Sequence, residues 1–108
     1  MKKLLIFSVY CLISVTGYTN QGILDSLLSR LDAHRAEDTV RLDLMNQVAY
    51  LYYSSDPDKG LDMAAQAISL GTRLGEENGL ARGYRNQGIN YWAKGMDSLS
   101  LISYRAAL

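Results

Sequence analysis

The feature that most restricts the fold is a pair of apolar segments joined by a glycine near the carboxyl end. Tyr84, Gly88 and Tyr91 recur at helical spacing, so the first segment is expected to be a helix that a neighbouring helix approaches closely at the glycine. Gly95 favours a tight turn, because glycine adopts the left-handed cap conformation at little cost. The apolar run Ser98–Leu108 is then expected to return as a second, antiparallel helix.

A similar helix pair is indicated earlier in the chain. In the first helix, an offset of 39 positions aligns Met45, Val48, Ala49 and Tyr52 with Tyr84, Gln87, Gly88 and Tyr91. An offset of 40 instead aligns Asn46 with Asn86, which leaves two registers for that helix. In the second helix, an offset of 40 aligns Gly60, Ala64 and Ala67 with Ser100, Tyr104 and Ala107. The sequence therefore predicts helix pairs that repeat every 39 or 40 residues.

Capping residues fix the helix boundaries of the first pair. Asp56 can accept from the backbone N–H groups of the following turn, and Pro57 suits the first helical position, where no donor is needed. Gly75 can end that helix in a left-handed cap. We therefore expect helices over residues 40–54, 57–74 and 80–94, with a connector over residues 76–79.

A further amphipathic helix is expected from Gly22 to Ala36, in the leading segment of residues 20–38. Its apolar residues, Ile23, Leu24, Leu27, Leu28 and Leu31, form one stripe, which suits an end cap on a stack of helices. His34 lies just beyond the stripe and is expected at a solvent-exposed helix end. Because the chain has one histidine and one cysteine, a metal site is not expected.

Residues 1–19 have the layout of a secretory signal peptide, with two lysines before the apolar run from Leu4 to Val15. That run is shorter than the roughly 20 residues a relaxed bilayer span needs. Cleavage is expected between Gly17 and Tyr18, with cleavage after Thr19 and an uncleaved anchor as the alternatives. The mature protein would be exported, to the periplasm or outside the cell, and would contact a membrane only during export.

The segment from residue 84 onward resembles a tetratricopeptide repeat. The family pattern is Trp-x2-Leu-Gly-x2-Tyr followed by Ala-x3-Phe, and its places are filled here by Tyr84, Gln87, Gly88 and Tyr91, then Ser100 and Tyr104. The period exceeds the usual figure of about 34 residues, so the likeness is to the longer variant of the repeat. It implies an all-α, right-handed superhelical stack, with helix pairs at residues 39–78 and 79–108 after the leading helix.

The resemblance implies a module that binds protein or peptide partners without catalysis. In this family one helix face lines the concave groove, and in this chain that face carries Arg82, Arg85, Asn86 and Ile89. Guanidinium and amide groups can hold a carboxylate or peptide carbonyls. An ordinary charged helix face is the competing interpretation of these four residues. A narrower likeness, to exported repeats that precede a histidine kinase or transcription regulator, makes a sensory fragment of a two-component protein the alternative function.

No residue pattern in the chain supports catalysis. The glycines lack the Gly-Lys-Ser/Thr sequence of a phosphate-binding loop, and the serines lack an ordered histidine partner. Formal charge is zero at pH 7, so nucleic acid is not an expected partner, and no cofactor is expected.

The last helix has apolar residues around most of its circumference, with Arg105 as its one charge. Terminal helices of repeat arrays usually have a polar outer face. We therefore expect the array to be truncated in this chain, with further repeats or a partner protein packing on Ser98–Leu108.

Overall fold

The computed structural model describes residues 20–108, and the regular structure within them is entirely helical. The five helices are α1 (Asn20–Ala33), α2 (Thr39–Tyr52), α3 (Pro57–Leu74), α4 (Glu77–Ala93) and α5 (Asp97–Ala106). Each helix packs against the one before it, and α2 also contacts α4. The all-α expectation is confirmed. The predicted signal peptide and its cleavage point at Gly17–Tyr18 lie outside the described residues.

The two ends of α3 are set by the predicted capping residues. Asp56 Oδ1 accepts a hydrogen bond from the Lys59 backbone N–H at 3.2 Å, and Pro57 occupies the first turn. Gly75 ends the helix with a φ of +67°, a left-handed conformation that costs glycine little. Gly95 has a φ of +74° in the turn between α4 and α5. The expected bounds of α3 and the turn at Gly95 are confirmed.

The connector predicted over residues 76–79 is wrong, because α4 already begins at Glu77. Gly79 is buried inside this helix, and a Cβ atom there would lie 2.3 Å from Cδ2 of Leu42 on α2. At Gly83, one turn later, a Cβ would lie 2.9 Å from Cγ1 of Ile68 on α3. The two glycines therefore give α4 a flat strip on which α2 and α3 pack closely.

The hydrophobic core is formed by side chains of α1, α2 and α3, with α2 in contact with both of the others. Val48 and Ala67 are fully buried at its centre. Burial of each large aliphatic side chain contributes roughly 1.5–3 kcal/mol to folding. The other buried members are Leu24, Leu27, Leu31, Leu42, Leu44, Met45 and Leu70.

The leading helix spans Asn20–Ala33 instead of the predicted residues 22–36, and its buried stripe is narrower than expected. It ends at Ala33, and Ile23 is 48% exposed although it was assigned to the apolar stripe. The physical reason is that α1 packs against α2 alone, so only the side chains that point directly at α2 are covered.

The corner between α1 and α2 is organised by Asp38, which caps α2. Its Oδ1 accepts a hydrogen bond from the Arg41 backbone N–H at 3.0 Å and lies 2.8 Å from His34 Nε2. His34 is therefore half-buried against a carboxylate rather than simply solvent-exposed. The Arg41 guanidinium donates to the carbonyls of Leu31 and His34, which satisfies the end of α1.

The cap at Asp38 should make stability depend on pH in the acid range. The hydrogen bond from the Arg41 backbone, with a smaller effect from His34, lowers the pKa of the Asp38 carboxyl. A carboxylate with a depressed pKa stabilises the fold above its unfolded pKa of about 3.9, and this stabilisation is lost as the pH falls through the folded-state pKa. Asp38→Asn retains a capping side chain but cannot titrate. Melting temperatures of the two proteins should differ at neutral pH and converge in acid, whereas a constant difference would contradict the assignment.

The contact between α4 and α5 is as close as the sequence predicted. A Cβ atom at Gly88 would lie 3.0 Å from Cδ1 and Cε1 of the Tyr104 ring, and Ser100 Oγ donates to the Gly88 carbonyl at 2.8 Å. Of the residues expected to point inward with Gly88, Tyr84 and Tyr91 are only half-buried.

Gly88→Leu is therefore expected to lower the free energy of unfolding by about 1–3 kcal/mol through overpacking. Tyr104 is 39% exposed and could swing outward for a single methyl group, so Gly88→Ala should cost much less than leucine. Ala93→Leu, at an exposed position of the same helix, is the matched control. Lys94→Ala removes an exposed ion pair with Asp58 and should cost at most about 1 kcal/mol. Equal urea denaturation curves for the four variants would show that α4 has a different register.

Candidate functional site

Three buried asparagines join α2 to α4. Asn46 Nδ2 donates to the Gly79 carbonyl at 3.0 Å, and Asn86 Nδ2 donates to the Asn46 carbonyl and to its Oδ1 at 3.0 and 2.9 Å. Asn90 Nδ2 donates to the carbonyls of Ala49 and Asn86. Because buried amides need partners, this network fixes how the two helices pair.

Asn90 is the most constrained member of the network. It is fully buried, and its Oδ1 has no hydrogen-bond partner among the described residues. That oxygen lies 1.9 Å from where a Cβ atom at Gly60 would be, so it faces the bare backbone of α3. Glycine at position 60 is what leaves room for the Asn90 side chain.

A groove of about 370 Å³ lies along the contact between α2 and α4, and one residue of α5 also lines it. Its polar groups come mainly from α2 and α4, and its apolar surface comes from an isoleucine and two tyrosines. The lining residues are Asn46, Gln47 and Tyr50 of α2, Arg82, Arg85, Asn86 and Ile89 of α4, and Tyr104 of α5.

The two arginines of the groove are electrostatically different. Arg82 Nη1 donates to Asp43 Oδ1 at 2.6 Å, and Gln47 Nε2 donates to the other oxygen of the same carboxylate at 2.8 Å. Arg85 is exposed and has no carboxylate within 4 Å in residues 20–108. Arg85 is therefore the cation that can receive a carboxylate, whereas Arg82 would first have to release Asp43.

All four residues predicted for the groove lie on one wall of it, and the structure adjusts the role of two. Asn86 is only 8% exposed and has already donated its amide to Asn46, so it is a structural member of the wall. Arg82 is paired, as described above. Arg85 and Ile89 keep the exposure that a ligand contact requires.

The sequence analysis missed Asn90 and the contribution of Tyr104 to the groove. Asn86 and Asn90 are separated by one helical turn in the middle of α4, where asparagine is an unfavourable helix former. Two such residues on one helical face were a signal for a buried amide network.

In α5 two serines are buried, whereas the large apolar side chains are exposed. Ser100 and Ser103 face α4, and Ser103 Oγ donates to Gln87 Oε1 at 3.0 Å. The outer face of α5, which carries Leu101 and Ile102, is exposed, and so is Leu108 just beyond the end of the helix.

A second recess, here named the end recess, lies between α4 and this outer face and has a volume of about 430 Å³. Its floor is apolar and its rim carries two arginines. It is lined by Ala81, Arg85, Leu101, Tyr104, Arg105, Ala107 and Leu108.

Other kinds of site receive no support in the described part of the chain. Within residues 20–108, no three His, Cys, Asp or Glu side chains are grouped so that they could hold a metal ion. None of the helices described is both long enough and apolar enough to cross a membrane. No family model, curated protein or solved structure matches the chain.

Proposed function

We propose that this chain is a non-catalytic interaction module of the tetratricopeptide-repeat type that holds another polypeptide in the groove between α2 and α4. The groove itself carries the proposal. It combines a guanidinium with no carboxylate partner in residues 20–108, amide groups and apolar side chains along one surface, and these are groups that can recognise an extended peptide.

The repeat arrangement is supported by two spacings. Helices α3 and α5 begin at Pro57 and Asp97, which are 40 positions apart, as are Asn46 and Asn86 at the contact of α2 with α4. The offset of 40 is therefore the register we adopt for both helices of the pair. In this proposal α2 with α3 and α4 with α5 are successive pairs of a right-handed stack, and α1 covers one end.

A bound peptide would use the groove as follows. Arg85 would pair with a carboxylate, since charge-assisted hydrogen bonds to a planar guanidinium are strong and directional. The second N–H of the Gln47 amide would donate to a peptide carbonyl, while Ile89 and Tyr50 would cover an apolar side chain. The module would work on the extracytoplasmic side of a membrane, because the proposal includes removal of residues 1–17 as a signal peptide.

The outer face of α5 is a second place where protein would pack, either a partner or further repeats of the same array. Its large side chains are exposed in the described residues, and such faces are rare on isolated soluble domains. Association there would bury them.

A display library of random extended peptides tests the groove. Binding peptides are expected to share an acidic residue, and Arg85→Gln should weaken them by about tenfold or more, since a hydrogen bond to a charged group contributes roughly 1.5–3 kcal/mol. Ile89→Ser should also weaken them, whereas Arg30→Gln, on the exposed surface of α1, should not. Failure to select any peptide, or equal binding by all three variants, would exclude the groove as the binding surface.

A further inference from the structure

The contact between the two helix pairs shows what can cover the end recess. Where α3 meets α4, the side chain of Ile68 packs on Gly83, a residue with no side chain of its own. At the adopted offset of 40, the counterpart of Ile68 is Leu108, which is fully exposed. A helix that presents a small residue at the matching position, as α4 presents Gly83, would fit over Leu108 in the same manner.

The end recess differs from that internal contact in its charge. At the same offset, Met45 and Ala65 of the first pair correspond to Arg85 and Arg105 of the second. Both arginines line the recess, and neither has a carboxylate within 4 Å in the described part of the chain. An occupant that carries carboxylates would pair with both guanidiniums, whereas a basic occupant would be repelled.

We propose that the end recess binds an acidic amphipathic α-helix of a partner protein. Its apolar side, with a small residue over Leu108, would lie on Leu101 and Leu108, and its carboxylates would pair with Arg85 and Arg105. This proposal rests on the proposed function, since it names the partner that packs on the outer face of α5.

A helix fits the recess better than an extended segment for two reasons. Every covered helix face in residues 20–108 is covered by another helix, and no strand offers a sheet edge for an extended partner. The floor is also apolar, and a helix satisfies its own backbone hydrogen bonds where an extended backbone would bury unpaired groups.

The test uses the full chain and two synthetic helical peptides of about 16 residues, long enough to form a helix on binding. Both carry the same face of alanines and leucines, which is flanked by glutamates in one peptide and by lysines in the other. Fluorescence anisotropy should show the glutamate peptide binding at least about tenfold more tightly than the lysine peptide, with the difference reduced by added salt. Arg105→Gln should remove most of this preference, and Leu101→Ser should weaken both peptides.

The controls separate this inference from the groove. Ile89 lines the groove but not the end recess, so Ile89→Ser should leave binding of the glutamate peptide unchanged while it weakens extended peptides. Equal affinity for the two helical peptides, or loss of the glutamate peptide in Ile89→Ser, would overturn the inference. The inference would also be overturned if the chain forms an oligomer that Leu101→Ser dissociates but the glutamate peptide does not. In that case the face would be an interface between copies of the chain. Extended peptides that depend on Arg85 and Ile89 alone would preserve the proposed function while the inference fails.

Discussion

Gly60→Ala is expected to lower the free energy of unfolding by about 2–6 kcal/mol. A Cβ atom at this position would lie 1.9 Å from Asn90 Oδ1 and 2.4 Å from its Cγ, so the fully buried side chain would have to move. Overpacking of this kind costs about 1–3 kcal/mol. Movement of Asn90 would also break its hydrogen bonds to two carbonyls, each worth roughly 0.5–1.5 kcal/mol. Urea denaturation measures the sum.

A double-mutant cycle shows whether the cost comes from this contact. Asn90→Ala alone should destabilise the protein, because it leaves a cavity and removes the amide. In the Gly60→Ala background the same change removes the clash, so the two effects should fall short of additivity by at least about 1 kcal/mol. Ser69→Ala, at an exposed position of α3, is the matched control and should change stability by less than about 0.5 kcal/mol.

Whether Gly60→Ala stabilises or destabilises the protein is itself a test of the packing. In an unobstructed helix, glycine to alanine stabilises by roughly 0.5–1 kcal/mol, because glycine loses more backbone entropy on folding. A Gly60→Ala protein that is more stable than the wild type would therefore contradict the packing of Asn90 against α3.

The helix boundaries that were predictable are those set by local chemistry. Asp56, Pro57 and Gly75 act through the backbone of their own turn, so their effect could be inferred without knowing the fold. Gly79 shows the limit of this reasoning. In sequence it follows Asn78 and suggests a connector, but its function is to admit Leu42 from another helix. A contact between residues 37 positions apart does not affect local helix propensity, so it cannot be inferred from the neighbouring residues.

In the candidate site, too, some properties could be predicted from the sequence and others could not. Helical spacing together with the resemblance to the repeat family placed Arg82, Arg85, Asn86 and Ile89 on one face, and all four line the groove. Spacing could not show that Asp43 of another helix neutralises the first arginine or that Asn86 is buried. Those properties depend on which residue faces each side chain across the contact between α2 and α4.

The outer face of α5 leads to the second large effect. A protein of residues 18–108 is expected to self-associate as its concentration rises and to bind an apolar dye such as anilinonaphthalene sulfonate. The reason is that Leu101 and Ile102 are 52% and 61% exposed, and that Leu101 lines the end recess together with the exposed Leu108. Exposed apolar surface of this kind favours association in water. Sedimentation velocity and dye fluorescence across a concentration series measure both effects.

Substitutions on the outer face of α5 and elsewhere on the surface show whether this face is responsible for the association. The double variant Leu101→Gln, Ile102→Gln should be monomeric and bind little dye, since both side chains are exposed and their replacement leaves the core intact. Val40→Gln removes a comparably exposed side chain from α2 and should change neither measurement. A stable, dye-silent monomer at high concentration would contradict the expectation and would indicate a self-contained binding domain. Because the buried side of α5 is formed by serines, association of the wild-type protein would cover the larger apolar part of that helix. The free energy of association would therefore measure how much burial of this face stabilises the helix.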